Sequence, residues 1–171
     1  VVSSGAKPIL AAVISSLVNR GDFIIIPAPY YPPFVEACLD REGKVVLIGF
    51  KKDNFFLTAR ALEKALLEDC IFPKLLIINS PNNPTGIVYD PVEMEKIARF
   101  CQNQGIYFLS DECYSNFSPV SQDKPSNLRL INNKSIIVNS CSKTYAMTGW
   151  RIGYGIMPVE LAALVKKYLD N

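Results

Sequence analysis

A lysine and an arginine eight residues apart follow a short apolar run, and small hydroxyl residues flank the lysine. The run at 136–138 is unbroken and β-branched, which predicts a buried strand. A lysine that is desolvated at the end of such a strand can act as a nucleophilic amine. Ser140, Ser142 and Arg151 are suited to bind a phosphate beside Lys143. The spacing therefore indicates a lysine that forms a Schiff base with a phosphorylated aldehyde.

Two further strand ends carry groups that can meet an anion or a cation. A short strand is predicted at 1–3, and Pro8 suits the first position of the helix that follows. The backbone N–H groups of Ala6 and Lys7 would then point at an anion. Asp111 follows another predicted buried strand, and a carboxylate there is costly unless a cation or hydrogen-bond donors meet it.

Two loops after predicted strands carry aromatic or amide side chains. Tyr31 lies in the proline-rich segment 27–33, where a tyrosine can stack on a flat ligand or take part in ordinary loop packing. Asn83 lies in the segment 79–86, whose proline and glycine are explained by turn formation, although its two adjacent asparagines are not. All these groups follow strand ends, which is the edge where open α/β sheets bind ligands.

Strands and helices alternate along the chain with short links. This order predicts a three-layer α/β fold, with helices on both faces of a mostly parallel seven-stranded sheet. Thr58 is predicted to cap one helix, and residues 90–93 have the form of a capping box for another. Gly21 and Gly105 are predicted to end helices, and residues 115–134 are predicted to be irregular. The predicted strands span 1–3, 22–26, 44–48, 75–78, 106–109, 135–139 and 151–156.

The composition of the 171-residue chain excludes several classes of protein. The formal net charge of +2, from 18 basic and 16 acidic residues, gives no reason to expect nucleic acid or an anionic membrane as a partner. No apolar run approaches the roughly 20 residues that span a bilayer. The absence of histidine excludes Ser-His-Asp triads, Cys-His pairs and histidine metal sites within this chain. Five cysteines without metal-ligand spacing indicate reduced thiols in a reducing compartment.

Two short motifs have competing interpretations. Ser140 and Lys143 match the S-x-x-K of penicillin-binding enzymes, but the S-D-N and K-T-G elements that those enzymes need are missing. The glycines at 153 and 155 suggest a dinucleotide fingerprint, but Pro158 stands in place of the third glycine. That motif also does not open the first βα unit, as a dinucleotide fingerprint should.

An ordered set of motifs spans nearly all of the chain: G-A-K, P-Y-Y, N-N-P-T-G, D-E-C-Y and S-C-S-K-T-Y-A-M-T-G-W-R-I-G. This set resembles the fold-type I, class I aminotransferases, which use pyridoxal 5'-phosphate, and it is most similar to their aspartate and aromatic branch. The resemblance implies that residues 1–171 are the large, cofactor-binding domain, with an antiparallel strand at 151–156. It also implies amino transfer between an L-amino acid and a 2-oxo acid.

The resemblance implies a role for each motif residue. Lys143 would be the Schiff-base lysine and the proton shuttle, and Asp111 would pair with the pyridine nitrogen and keep it protonated. Tyr114 and Asn83 would hydrogen-bond the 3-oxygen of the ring, and Tyr31 would stack on the ring, where many relatives carry Trp. The implied phosphate cup consists of the backbone amides of Ala6 and Lys7 with the side chains of Ser140, Ser142 and Arg151.

The resemblance also leaves parts of the family's machinery without a counterpart in these residues. These parts are an N-terminal arm, a tyrosine of the partner subunit, and a small C-terminal domain whose arginine binds the substrate carboxylate. We therefore expect a piece of a homodimeric, cytoplasmic aminotransferase that holds the cofactor but catalyses poorly alone. A pyridoxal-phosphate-dependent C–S lyase or synthase on the same scaffold, and a non-catalytic binding protein of this fold, are the alternatives.

Overall fold

The computed structural model describes residues 1–49, 56–117 and 132–170. Within these ranges the chain forms seven strands and six α-helices, which alternate as the sequence predicts. The strands are β1 (Val2–Ser3), β2 (Phe23–Pro27), β3 (Lys44–Ile48), β4 (Pro73–Asn79), β5 (Tyr107–Asp111), β6 (Ser135–Ser140) and β7 (Gly153–Ile156). The helices are α1 (Ala6–Leu17), α2 (Pro33–Leu39), α3 (Ala59–Asp69), α4 (Pro91–Asn103), α5 (Cys141–Thr144) and α6 (Val159–Leu169).

The seven strands form one sheet in the order β1-β7-β6-β5-β4-β2-β3. Strands β2 to β6 run parallel, whereas β7 pairs antiparallel with both β6 and β1. The predicted sheet is therefore confirmed, and so is its antiparallel strand near 151–156. Because β2, β4, β5 and β6 are parallel, their carboxyl ends lie at one edge of the sheet, where ligands of such folds bind. The start of β7 and the end of β1 lie at this same edge.

The sheet separates two buried cores. Helix α1 packs against α2 and α6 on one face, and α3 packs against α4 on the other. Along β2, the side chains of Ile24 and Ile26 enter the first core and that of Ile25 enters the second. Because both faces of this strand are covered, it is apolar without alternation. The two cores fix the central strands and thereby fix the position of the residues that follow them.

Helix α1 begins at Ala6, two residues before the proline that the sequence places at its first position. Pro8 is tolerated there because the first backbone N–H groups of a helix have no acceptor within the helix. Gly5 precedes the helix with a φ of 105°, a conformation that glycine adopts readily. The helix ends at Leu17, so the prediction that it ends at Gly21 is wrong. Gly21 has a φ of 85° in the link to β2.

The N-termini of α3 and α4 agree with the predictions in part. Thr58 caps α3 as predicted, and Asp90 caps α4 by accepting hydrogen bonds from the backbone nitrogens of Val92 and Glu93. The second half of the predicted capping box is wrong, because the Glu93 side chain does not return to the start of its own helix. It accepts a hydrogen bond from the backbone nitrogen of Ala59 at 2.8 Å and so ties α4 to the start of α3.

The segment 115–134, predicted to be irregular, is described only at its ends. Ser115–Phe117 forms a short 3-10 helix, and residues 118–131 lie outside the described ranges. Among the helices of the described ranges, none is both long and apolar enough to cross a membrane. A search of the same ranges finds no cluster of metal-ligating side chains that could hold an ion.

Candidate active site

Asp111 is the last residue of β5 and lies at the carboxyl edge of the sheet. Its side chain is buried, and one carboxylate oxygen accepts a hydrogen bond from the backbone nitrogen of Cys113 at 3.0 Å. Burial raises the pKa of the Asp111 carboxyl above its ordinary value, and hydrogen bonding by Cys113 lowers it in part. A buried carboxylate with a backbone donor and a raised pKa is suited to meet a cation.

Lys143 lies in α5, directly after β6, the strand beside β5. The hydroxyl of Ser140 caps this helix by accepting a hydrogen bond from the backbone nitrogen of Ser142 at 3.1 Å. The Lys143 side-chain nitrogen lies 5.8 Å from the centroid of the Tyr114 ring. Its positive charge also lowers the pKa of the Cys113 thiol in part, against a larger rise from burial. The lysine and the aspartate therefore lie at the same edge of the sheet, and both act on the Cys113 thiol.

Amide hydrogen bonds connect Asn83, which lies beside Tyr114, with the end of β5. The backbone nitrogen of Asn83 donates to the side-chain oxygen of Asn79 at 2.6 Å. Asn79 in turn donates to the backbone oxygen of Asp111 at 3.0 Å. Desolvation raises the pKa of the Tyr114 phenol, and Asn83 lowers it in part. Asn79 therefore organises the site although the sequence marks it only as a turn residue.

The start of α1 and the guanidinium of Arg151 form a second part of the site. One terminal nitrogen of Arg151 donates to the backbone oxygen of Ser4 at 3.2 Å, and a Cβ added at Gly5 would lie 2.7 Å from that nitrogen. The backbone nitrogen of Ala6 follows directly, and the Lys7 side chain is exposed. A guanidinium beside backbone N–H groups at a helix N-terminus is a favourable environment for an anion.

Gly153 allows β7, which follows Arg151, to lie directly against the start of α1. It pairs with Ser140 of β6 and with Ser3 of β1, and a Cβ added to it would collide with the peptide that joins Gly5 to Ala6. Only a glycine lets β7 approach α1 so closely. The glycine at 153, which the sequence suggests only as a weak dinucleotide motif, is thus required for the contact between β7 and the start of α1.

The serines predicted to line the phosphate cup are both buried beside this contact. The Ser140 hydroxyl donates to the backbone oxygen of Ile152 at 3.3 Å while it caps α5. These two bonds give no support to the penicillin-binding interpretation of Ser140, and donation to a phosphate would require its hydroxyl to exchange the long bond to Ile152. The backbone nitrogen of Ser142 is turned towards Ser140, and its side chain is buried at the start of α5.

Tyr31 is positioned by packing against the first core. Its ring meets that of Phe34 edge-on, with a centroid separation of 5.5 Å. The loop that carries it is tied to the loop that carries Asn83, because the Asn82 side chain donates to the backbone oxygen of Pro29 at 3.2 Å. Ordinary loop packing explains the contact with Phe34, and stacking of Tyr31 on a ligand stays a prediction.

The sequence of the chain places it among known proteins. Residues 1–170 match the profile of the family described as aminotransferase class I and II. The match covers almost the whole chain, and the seven-stranded mostly parallel sheet agrees with it. The chain belongs to this family of aminotransferases.

Curated relatives and solved structures agree with this assignment. A probable aspartate/prephenate aminotransferase of Aquifex aeolicus is 38% identical over 174 residues, which cover 96% of this chain and 42% of the relative. An asparagine–oxo-acid transaminase of Streptococcus mutans is 34% identical over 179 residues, which cover 100% of this chain and 44% of the relative. An aminotransferase of Mycobacterium tuberculosis superposes with a TM-score of 0.90 at 28% identity, over 100% of this chain and 43% of its own. The chain thus spans less than half the length of these relatives.

Proposed function

We propose that this chain is the cofactor-binding large domain of an aminotransferase that moves an amino group between an L-amino acid and a 2-oxo acid. The observation that carries the proposal is the convergence of three groups on one sheet edge. These groups are the amine of Lys143, the buried carboxylate of Asp111, and the anion site formed by Arg151 with the start of α1. An amine, a carboxylate and an anion site are what a phosphorylated pyridine aldehyde requires.

The residues present fit pyridoxal 5'-phosphate at both ends. Among the residues that the structure describes, no cationic side chain forms an ion pair with Asp111, so its buried carboxylate suits a protonated ring nitrogen. At the other end, a side chain on Gly5 would displace the Arg151 guanidinium, so the glycine keeps the cradle open for a phosphate. The proposed phosphate ligands are the backbone amides of Ala6 and Lys7 with Ser140, Ser142 and Arg151.

When bound, pyridoxal 5'-phosphate supplies a reactive aldehyde carbon and an electron-withdrawing ring. Lys143 would supply the amine that holds this carbon and would move a proton at the α-carbon of the substrate. The Asp111 carboxylate would keep the ring nitrogen protonated, and the Tyr114 and Asn83 side chains would hydrogen-bond the 3-oxygen. Tyr31 would stack on the ring.

The proposal extends to the protein that contains this domain. It would be a homodimer, because the resemblance assigns a tyrosine of the partner subunit to the site. We also propose that it is cytoplasmic. The five cysteines occur as free thiols, which agrees with a reducing compartment. A further domain would bind the substrate carboxylate, so the domain alone would hold the cofactor and catalyse slowly. The relatives that are named for aspartate, prephenate and asparagine support an amino-acid substrate without selecting one.

A covalent labelling experiment tests the assignment of the lysine. The protein is incubated with pyridoxal 5'-phosphate, reduced with borohydride and digested, and the modified peptide is identified by mass spectrometry. We expect one stable adduct on Lys143 and none in Lys143→Ala. Lys134→Ala is the matched control, because Lys134 lies over the Tyr107 ring near the opposite edge of the sheet. An adduct of equal yield in Lys143→Ala would overturn the assignment.

The reaction itself is tested with the full-length protein. An amino acid donor and a 2-oxo acid acceptor are supplied together, and both products are measured. We expect stoichiometric exchange that requires the acceptor and is lost in Lys143→Ala. Release of a 2-oxo acid without an acceptor would instead indicate lyase chemistry on the same scaffold.

A further inference from the structure

Two adjacent asparagines follow β4, and the proposed function uses only the second of them. Asn82, the first, lies in the segment 80–86, which also carries Asn83 and is named the Asn83 loop. Residues 28–32, which connect β2 with α2, form the Tyr31 loop. Asn82 is half-buried where these two loops meet. Because turn formation does not explain two adjacent asparagines, the role of Asn82 must follow from its contacts.

The side-chain amide of Asn82 makes hydrogen bonds in both loops. Its Nδ2 donates to the backbone oxygen of Pro29 in the Tyr31 loop at 3.2 Å. Its Oδ1 accepts from the backbone nitrogen of Thr85 at 3.2 Å and from the Thr85 hydroxyl at 2.8 Å. These partners fix the orientation of the amide, because a carbonyl oxygen can only accept and a backbone N–H can only donate. The position therefore requires a side chain that carries a donor and an acceptor together.

Each loop is also anchored to the sheet at its own start. The backbone nitrogen of Ser80 donates to the end of β5 at 3.0 Å, and the backbone nitrogen of Ala28 donates to the end of β3 at 3.0 Å. These anchors lie on different strands and do not connect the loops with each other. Within the described ranges, the bond from Asn82 to Pro29 is the one hydrogen bond that joins the Tyr31 loop to the Asn83 loop.

Packing does not fix the spacing between the two loops. A small pocket lies between them, lined by Tyr30 of the Tyr31 loop on one side and by Asn82 and the end of β4 on the other. Since side chains do not fill this space, van der Waals contacts alone leave the separation adjustable. The amide of Asn82 is therefore the contact that can set it.

We infer that Asn82 is a positioning residue, whose side-chain amide joins the Tyr31 loop to the Asn83 loop and sets the spacing between them. Its functional meaning rests on the proposed function, in which Tyr31 stacks on the cofactor ring and Asn83 bonds the 3-oxygen of the same ring. Asn82 acts on the ring only through these two loops. The link between the loops exists without the cofactor, so a test on the cofactor-free protein can fail separately from the proposed function.

The first experiment measures hydrogen exchange of the backbone amides in the full-length, cofactor-free protein. Asn82→Asp keeps an acceptor for Thr85 but places a carboxylate oxygen, which cannot donate, against the backbone oxygen of Pro29. We expect peptides that cover 28–36 and 82–88 both to exchange about fivefold faster, which is the factor that one neutral hydrogen bond contributes to a local opening equilibrium. Asn82→Ala should have the same effect on 28–36 without adding a charge.

Thr85→Val is the matched control, because it removes the hydroxyl bond within the Asn83 loop and leaves the bond from Asn82 to Pro29 in place. It should speed exchange in 82–88 and leave 28–36 unchanged. Exchange in 28–36 that stays at the wild-type rate in both Asn82 variants would overturn the inference and leave Asn82 as a turn residue.

The second experiment tests whether the link positions the cofactor. The affinity for pyridoxal 5'-phosphate is measured in the wild type, in Asn82→Ala, in Tyr31→Ala and in the double variant. We expect Asn82→Ala to weaken binding about fivefold in the wild-type background and less when Tyr31 is already alanine, because residues that act through each other are not additive. At saturation, Asn82→Ala should also reduce the visible circular dichroism of the bound cofactor, which reports how firmly the ring is oriented.

The outcomes separate this inference from the proposed function. Additive losses of affinity with an unchanged circular dichroism signal would attribute the effect to general destabilisation and overturn the positioning role of Asn82. A wild type that binds no pyridoxal 5'-phosphate would contradict the proposed function, whereas the exchange rates of 28–36 would still decide whether Asn82 links the two loops.

Discussion

The side-chain nitrogen of Lys143 lies 5.8 Å from the centroid of the Tyr114 ring. The two residues reach this separation from different strands, since Tyr114 follows β5 and Lys143 follows β6. A cation at this distance over the face of an aromatic ring is attracted by the ring itself, independently of the hydroxyl. The ring of Tyr114 and its hydroxyl can therefore be assigned separate effects on the site.

Tyr114→Phe tests the hydroxyl while it keeps the ring under the lysine. Asn83 lowers the pKa of this phenol in part, and in the proposed function the hydroxyl donates to the 3-oxygen of the cofactor ring. A donor there favours the form in which that oxygen is negatively charged. We expect the pH midpoint of the bound cofactor's absorbance change to rise in Tyr114→Phe, with little change in the free energy of unfolding.

Tyr107→Phe is the control for this change, because Tyr107 is the first residue of β5 and lies at the edge of the sheet opposite Tyr114. It should leave the midpoint where it is in the wild type. A midpoint that is the same in Tyr114→Phe and in the wild type would contradict the proposed contact of the Tyr114 hydroxyl with the cofactor.

Asp111→Asn changes the pH dependence of the cofactor-free protein. The folded-state pKa of Asp111 is raised by burial, so ionising it costs more in the folded than in the unfolded chain. The wild type therefore loses stability as pH rises through the interval above about 4, where the unfolded carboxyl ionises. We expect Asp111→Asn to be more stable than the wild type at pH 8, and the advantage to shrink towards pH 4 in urea unfolding.

The same variant should lower the affinity for pyridoxal 5'-phosphate, because the amide cannot pair with a protonated ring nitrogen. Asp40→Asn, at an exposed position after α2, is the control and should change neither quantity. An Asp111→Asn protein whose deficit in stability relative to the wild type grows from pH 4 to pH 8 would show that the carboxylate is stabilised by its neighbours rather than strained by burial.

Gly5→Ala tests the anion site at the start of α1. Its positive φ makes any side chain costly, by about 1–3 kcal/mol, and the new methyl group would also meet the Arg151 guanidinium. We expect a less stable protein that binds pyridoxal 5'-phosphate at least about tenfold more weakly, since one charge-assisted hydrogen bond is worth roughly that factor. Affinity is measured by fluorescence titration and stability by urea unfolding.

Gly21→Ala is the matched control, because Gly21 also has a positive φ but has no atom within 4 Å of an added Cβ. It should reproduce the loss of stability and leave the affinity unchanged. Equal losses of affinity in the two variants would attribute the effect to general destabilisation and not to the guanidinium.

The sheet could be predicted because its central strands are buried on both faces. Such strands are unbroken apolar runs, and glycine, proline and capping residues separate them from the helices. The approximate positions of Lys143 and Asp111 followed at once, since the ends of parallel strands share one edge. Strand lengths depend on pairing as well: β5 extends to Asp111 itself, two residues beyond the predicted end, because Asn79 and Val138 pair with it there.

The contacts within the site could not be predicted, because they depend on register between segments that are distant in sequence. Asn79 is of a residue type typical of turns, yet it hydrogen-bonds both Asp111, which is 32 positions away in the sequence, and Asn83, which is 4 positions away. The importance of Gly153 is visible only when the start of α1 packs where its Cβ would be. Cys113 could be noticed in the sequence only as a small residue that is adjacent to the site.

Glu93 tests whether the hydrogen bond that links α4 to the start of α3 contributes to stability. Its carboxylate accepts a hydrogen bond from the backbone nitrogen of Ala59 at 2.8 Å and also pairs with Lys96. Glu93→Ala leaves a first-turn N–H of α3 without this acceptor, so we expect a loss of about 1 kcal/mol in the free energy of unfolding. Glu93→Gln keeps an oxygen acceptor and should recover much of that loss. Glu95→Ala removes only the exposed pair with Arg99 and should cost no more than about 0.5 kcal/mol. An equal loss in Glu93→Ala and Glu95→Ala would show that the bond to Ala59 adds nothing to stability.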